Sequence, residues 1–173
     1  MSLAGRIVGA GAQNAGMDLA GLTAVVTGGA KGIGAGIAER LVAAGMHVVI
    51  ADLDENAGVA TAARIGGSFV RADVATTAGV RAAIDTARRR PGRIGVLVNN
   101  AGGVEGPGFP AAGPAEWEHT LDLNLRAVML ATQLVLAPMA GHGGGVIINV
   151  SCSFAACSGR VAVAGRASSR SPL

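Results

Sequence analysis

A chain of 173 residues, half of them apolar and 28 of them glycine, suits one globular domain with many tight turns and excludes a disordered polymer. The net charge of +3 is carried by thirteen Arg and one Lys against eleven acidic residues. Its densest cluster, Arg88-Arg89-Arg90 with Arg93 close behind, fits the solvated end of a helix; without a recognition motif or interleaved aromatics it does not indicate a nucleic-acid partner.

Residues 1–16, "MSLAGRIVGAGAQNAG", make a poor secretory signal and read as an extension before Met17, which is an alternative start to Met1. The first strand is expected at 22–27 (LTAVVT), followed by a helix over 32–45 with apolar spacing at Ile33, Ile37, Leu41 and Val42. Further strands are expected at 47–52 (HVVIAD), 68–73 (SFVRAD), 94–100 (IGVLVNN) and 143–150 (GGGVIINV). A weaker helix falls at 55–66, another at 76–90 before Pro91-Gly92, and a long one at 114–140 after a Gly/Pro-rich loop over 102–114. Strands continuous in apolar residues and separated by helices predict a parallel sheet covered on both faces, an α/β doubly wound arrangement of Rossmann type. On the long helix, Trp117, Leu121, Leu125, Val128 and Met129 form a stripe that reads as core or as a dimer face.

No continuous apolar run reaches the about 18 residues needed to cross a bilayer, so no membrane partner is expected. Cys152 and Cys157 have no second Cys or His pair to complete a zinc site. They read as free thiols of a reducing compartment, which points to the cytoplasm. His47, His119 and His142 show no spacing to carboxylates that would build a metal site or triad, so no metal is expected.

The chemistry-bearing stretch is "TGGAKGIG", Thr27 to Gly34, between the first strand and the first helix. Glycines there let backbone approach a pyrophosphate, and the helix N-terminus offers N–H groups and a positive dipole end. Asp52 ends the second strand eighteen residues after Gly34. A carboxylate at that place accepts hydrogen bonds from ribose hydroxyls and repels a 2′-phosphate, so NAD is favoured over NADP. Lys31, within the glycine turn, could touch a phosphate or simply be solvated.

Five motifs in order resemble the short-chain dehydrogenase/reductase family across residues 22–151. They are TGxxxGIG at Thr27, Gly28, Gly32, Ile33 and Gly34; the acid Asp52; Asp73 and Val74, the Asp-Val of the adenine pocket; Asn99, Asn100, Ala101 and Gly102; and the helix asparagine Asn124. The resemblance implies hydride transfer between NAD(P) and a small alcohol or ketone. It also implies a catalytic Ser, Tyr and Lys, with Asn124 holding a water in the proton relay. Alignment on the strand end puts Cys152 at the Ser position; alignment on the tail puts Ser153 there, thirteen residues before Arg166. Arg166 and Arg170 stand where the Tyr and Lys of YxxxK are expected, and the chain has no tyrosine. A phenol with a pKa near about 10 becomes a usable acid only beside a cation, and Arg titrates too high to replace it.

The organisation expected is therefore an extension over 1–16, an NAD(P)-binding domain over 17–151 and a divergent tail over 152–173, with the sheet incomplete on its C-terminal side. Residues 123–173 hold no Asp or Glu. Catalysis is expected to be impaired, the alternative being a non-catalytic dinucleotide-binding module or an inactive fragment. An edge at the fifth strand and uncovered apolar surface on the long helix predict self-association through 114–140.

Overall fold

The computed structural model describes residues 17–103 and 111–151. Five parallel strands form one sheet: β1 (Thr23–Thr27), β2 (His47–Asp52), β3 (Ser68–Arg71), β4 (Ile94–Asn99) and β5 (Val146–Asn149), in the order β3-β2-β1-β4-β5. All four pairings are parallel, with Val25 opposite Val49 and Leu97, and Val98 opposite Ile148. The chain winds outward from β1 to β3, then returns to place β4 on the other side of β1. That reversal leaves a crevice beyond the carboxyl ends of β1 and β4.

Helices α1 (Gly32–Ala43) and α2 (Glu55–Ile65) cover one face of the sheet, and α3 (Thr77–Arg88) with α5 (Ala127–Gly141) covers the other. Strand side chains alternate between the two layers. Val25, Val49 and Leu97 face α3 and α5, whereas Val26, Ile50 and Val98 face α1 and α2. Each of these is fully buried, worth about 1.5–3 kcal/mol relative to exposure. Helix α3 is capped by Thr76, whose hydroxyl accepts from Gly79 N–H at 3.0 Å.

Two details depart from the apolar spacing of the sequence. In α1 the buried face consists of Gly34, Ala35 and Ala38, while Ile33 is 69% exposed. Small residues let the helix sit close to the sheet, and the larger Ile33 lies at its start, off that contact. Of the stripe, Trp117, Leu121, Leu125 and Met129 are exposed as well, Met129 by 62%, and Val128 is half-buried, so the stripe does not form the core. The helix presents Ala127, Ala131, Val135 and Met139 inward instead.

The long helix runs from Pro114 to Gly141. It consists of α4 (Pro114–Leu121), a π turn (Asp122–Arg126) and α5. The carboxylate of Glu116 accepts the Gly113 N–H at 2.9 Å and finishes its start. An 18-residue window of it has mean hydropathy 1.4, enough by length and composition to cross a bilayer, but its alanine-rich stripe packs on α3 and β4.

Pro138 inside α5 has no N–H to give the Leu134 carbonyl four residues earlier. The Arg88 guanidinium donates to that oxygen at 3.1 Å and to Asp85 at 2.9 Å. Arg93 donates to the Gly144 carbonyl at 2.5 Å, and the Arg89 guanidinium bonds the Thr86 hydroxyl at 3.0 Å. The arginine cluster thus ties the end of α3 to α5 and to the turn before β5.

β5 is the outer strand of the sheet among the described residues. Ile147 packs toward α3 and α5, while Val146 and Ile148, on the opposite face beside Val96 and Val98, are 42% and 40% exposed.

Candidate functional site

Strand β1 ends in Thr27, and its side chain organises the crevice. The Thr27 hydroxyl accepts N–H groups from Asn100 at 3.0 Å and Ala101 at 3.1 Å, and donates to the Val98 carbonyl at 3.3 Å. The Asn100 amide answers with two N–H bonds, to the Thr27 carbonyl at 3.1 Å and the Gly28 carbonyl at 2.9 Å. These bonds lock the loop after β4 onto the loop after β1. Asn99, buried beneath, donates to the Asn149 side chain at 2.8 Å and extends the tie to β5.

The glycines are fixed by space as well as by turn geometry. A Cβ on Gly34 would lie 2.2 Å from the Gly28 carbonyl oxygen, and one on Gly28 would lie 2.8 Å from the Ala101 Cα. Gly28 and Gly32 also adopt φ of 63° and 54°, a region that favours glycine. The outcome is a flat backbone turn leading into α1. Lys31 sits at the N-cap of α1 in extended conformation and supplies no side-chain cap. The first-turn N–H groups of α1 therefore point out of the helix without a side-chain acceptor, beside the crevice.

A cleft of about 280 Å³ opens there, and its walls include Gly28, Asp52, Asp73, Asn100 and Gly102. Val74 and Ala101 line it too. One carboxylate oxygen of Asp52 accepts the Ala30 N–H at 3.0 Å and the other accepts the Asp54 N–H at 3.0 Å. Each oxygen keeps acceptor capacity toward a further donor. Asp73 is held by the Ala75 N–H at 3.0 Å. A neighbouring Cβ at position 79 would lie 1.9 Å from its carbonyl, which is why glycine stands there. Leu53 and Leu123 also line the cleft. Sequence reading did not single them out, because an isolated leucine after a strand or within a helix carries no pattern of its own.

Lys31 neither lines the cleft nor stands alone in solvent. Its ammonium bonds the Asp54 carboxylate at 2.5 Å. That bond holds Lys31 above the ordinary lysine range, and, with the Ala57 N–H bond, holds Asp54 below the ordinary carboxylate range. Asp54 is the N-cap of α2, accepting from Ala57 at 3.0 Å.

Asn124 lies in the π turn. Its amide donates to the Thr120 carbonyl at 2.8 Å and the Gly103 carbonyl at 2.7 Å, and its oxygen accepts the Gly103 N–H at 3.1 Å. The extra residue of the π turn aims this side chain at the loop after β4, a placement frequent at functional sites. Gly102 is required beside it, since a Cβ there would approach the Asn124 Oδ1 to 2.8 Å.

Gly28, Asp52, Asp73, Val74, Asn100, Ala101 and Gly102 thus line one cleft, with Thr27 and Asn124 bonded to the loop after β4 and Gly32, Ile33 and Gly34 forming the helix start next to it. Cys152, Ser153, Arg166 and Arg170, and the segments 1–16 and 104–110, lie outside the described residues. Of the histidines, His47 opens β2, His119 lies on α4, and His142 ends α5 with its Nδ1 2.7 Å from the Pro138 carbonyl.

The comparisons with known proteins agree with this architecture. The short chain dehydrogenase family matches residues 22–169. The 3-alpha-(or 20-beta)-hydroxysteroid dehydrogenase of Mycobacterium tuberculosis is 40% identical over 149 residues, covering 85% of this chain and 57% of that protein. The short-chain reductase protein NovJ of Streptomyces niveus is 43% identical over 133 residues, 74% of this chain and 51% of that one. Among solved structures, a 3-ketoacyl-(acyl-carrier-protein) reductase from Brucella melitensis complexed with NADH superposes with a TM-score of 0.70 at 31% identity, covering 77% of this chain and 58% of that one. The chain spans about half to three-fifths of the length of these relatives. Matching family motifs, strand order and a glycine-lined crevice at the reversal of the sheet, it belongs to the short-chain dehydrogenase family.

Proposed function

We propose that this chain forms the dinucleotide-binding part of an NAD-linked oxidoreductase acting on a small alcohol or ketone. One observation carries the reading: a single cleft, at the point where the sheet reverses, gathers Gly28 of the glycine turn, Asp52, Asp73 and the Asn100–Gly102 loop. The residues fit such a group. The close approach enforced at Gly28 and Gly34 keeps side chains off the turn, and the uncapped start of α1 offers N–H groups to an anion. Asp52 has acceptor capacity for a pair of hydroxyls, and its charge disfavours a 2′-phosphate, so NAD is preferred over NADP. When bound, the nicotinamide supplies or accepts the hydride. Asn124 fixes the loop after β4 at the reacting side of the crevice through its three bonds to Gly103 and Thr120.

Proton transfer is where the chain falls short of the family pattern. It contains no tyrosine, and Arg166 and Arg170 stand at the Tyr and Lys positions of the YxxxK motif. Arg stays protonated near neutral pH and does not serve as the acid–base. With Ser153 or Cys152 at the Ser position, the tail over 152–173 lacks a partner for the developing alkoxide. The reading therefore favours dinucleotide binding with little turnover, working in the cytoplasm. The exposed Leu121, Leu125 and Met129 face of the long helix serves self-association.

Calorimetric titration of the 173-residue chain with NADH, and with NADPH in parallel, tests the reading. Saturable binding that favours NADH supports it. Absence of binding by both overturns it. Turnover of a secondary alcohol with NAD above background would overturn the assignment of the tail.

A further inference from the structure

We propose that Asp54 is a specificity-determining residue for the nucleotide: by holding the Lys31 ammonium in an ion pair, it keeps the glycine turn's cation from a 2′-phosphate and so reinforces the choice of NAD. The inference rests on the dinucleotide reading of the cleft. The charges are arranged around one point. Ala30 donates its N–H to one oxygen of Asp52 at 3.0 Å, Asp54 donates its N–H to the other at 3.0 Å, and Lys31 follows Ala30 directly in the chain. The backbone of Lys31 is thereby fixed within one residue of the carboxylate expected to meet the ribose. The ammonium also feels Asp52 electrostatically.

The Lys31 side chain is 72% exposed, and its bond at 2.5 Å is to Asp54, itself 40% exposed. A flexible four-carbon stem lets a lysine swing between neighbouring anions. With Asp54 in place, the trio of Asp52, Lys31 and Asp54 carries a net charge of −1, and its single cation is engaged. A phosphate arriving at the ribose must compete with Asp54 for that cation while facing two carboxylates. Removing the charge of Asp54 brings the trio to zero and frees the ammonium. The sequence gives no local sign of this pairing, because Lys31 and Asp54 lie on different elements twenty-three residues apart.

The test compares the unsubstituted chain, Asp54→Asn, and Asp54→Asn with Lys31→Met, each titrated with NADH and NADPH at low and at high salt. Asn keeps an acceptor at the N-cap of α2, so the helix start is preserved. The expected result is a rise of about tenfold in the NADPH-to-NADH affinity ratio for Asp54→Asn at low salt. That is the scale of letting one freed unit cation approach a phosphate under partial screening, and it shrinks at high salt. Adding Lys31→Met should return the ratio to its starting value. A ratio that does not move in Asp54→Asn overturns the inference, as expected of an exposed ion pair with no influence. A gain that survives Lys31→Met also overturns it, since repulsion by Asp54 alone would then explain the effect. Failure of the unsubstituted chain to bind NADH overturns the dinucleotide reading and this inference with it. A second readout is independent of nucleotide: in an NMR titration, the lowered Asp54 carboxyl should return toward the ordinary range in Lys31→Met. No movement there means the pair does not form and overturns the inference on its own.

Discussion

Helices α1 and α2 begin a few residues beyond adjacent strands and on the same rim of the sheet, yet their starts are finished in opposite ways. α2 is closed by Asp54, whose carboxylate takes the Ala57 N–H. α1 begins at Lys31, which brings no acceptor, and at glycines that keep its approach bare. A capped helix start has satisfied its donors from within the chain; an uncapped one beside a cleft has donors left for something else. The difference separates a start closed from within the chain from one whose donors stay open.

The largest effect should come from filling the bare turn. Gly34→Ala places a Cβ on the Gly28 carbonyl oxygen, 2.2 Å away. NADH affinity should fall about a hundredfold, equivalent to ~3 kcal/mol, as read by calorimetry. Next, Thr27→Val leaves the half-buried Asn100 and Ala101 N–H groups without their acceptor. Denaturant unfolding should show a loss of about 1–2 kcal/mol, and NADH binding should weaken with it. Converting the α1 start into an α2-like one is the sharpest contrast: Lys31→Ser supplies a neutral cap acceptor, whose about 1 kcal/mol outweighs the exposed ion pair it gives up, so the melting midpoint should rise slightly while NADH affinity drops a few-fold. A variant that melted higher and bound equally well would break the comparison. Thr76→Ala removes the cap of α3 and should cost about 1 kcal/mol in an unfolding titration.

The smallest effect is one of pH. Asp54 is held below its ordinary range by Lys31, so its contribution to stability is present above the unfolded carboxylate value, about 4, and is lost as pH falls through the lowered folded value. Between pH 5 and pH 3 the chain should lose slightly more of its melting midpoint than Lys31→Met does.

Much of this was legible in the residues because it is local. Continuous apolar runs bounded by glycine marked the buried parallel strands, and the spacing from Thr27 to Gly34 to Asp52 marked the crevice. What was not legible depends on partners distant in sequence or on one extra residue. A helical pattern across 114–140 gives no hint of the π turn that aims Asn124 at Gly103. Apolar size marked Ile33 and left the Trp117–Met129 stripe open between core and dimer face, whereas close packing put Gly34, Ala38, Ala127 and Ala131 inward. The pairing of Lys31 with Asp54 joins two elements that no periodicity links.

The bond from Arg88 to the Leu134 carbonyl couples two positions on different helices. Proline at 138 and arginine at 88 are partners in one omission and its repair. While the proline stands, the arginine meets an exposed carbonyl that would otherwise be left to water; once residue 138 regains an N–H, the arginine is released from that duty. The effects of changing positions 88 and 138 are therefore coupled rather than additive.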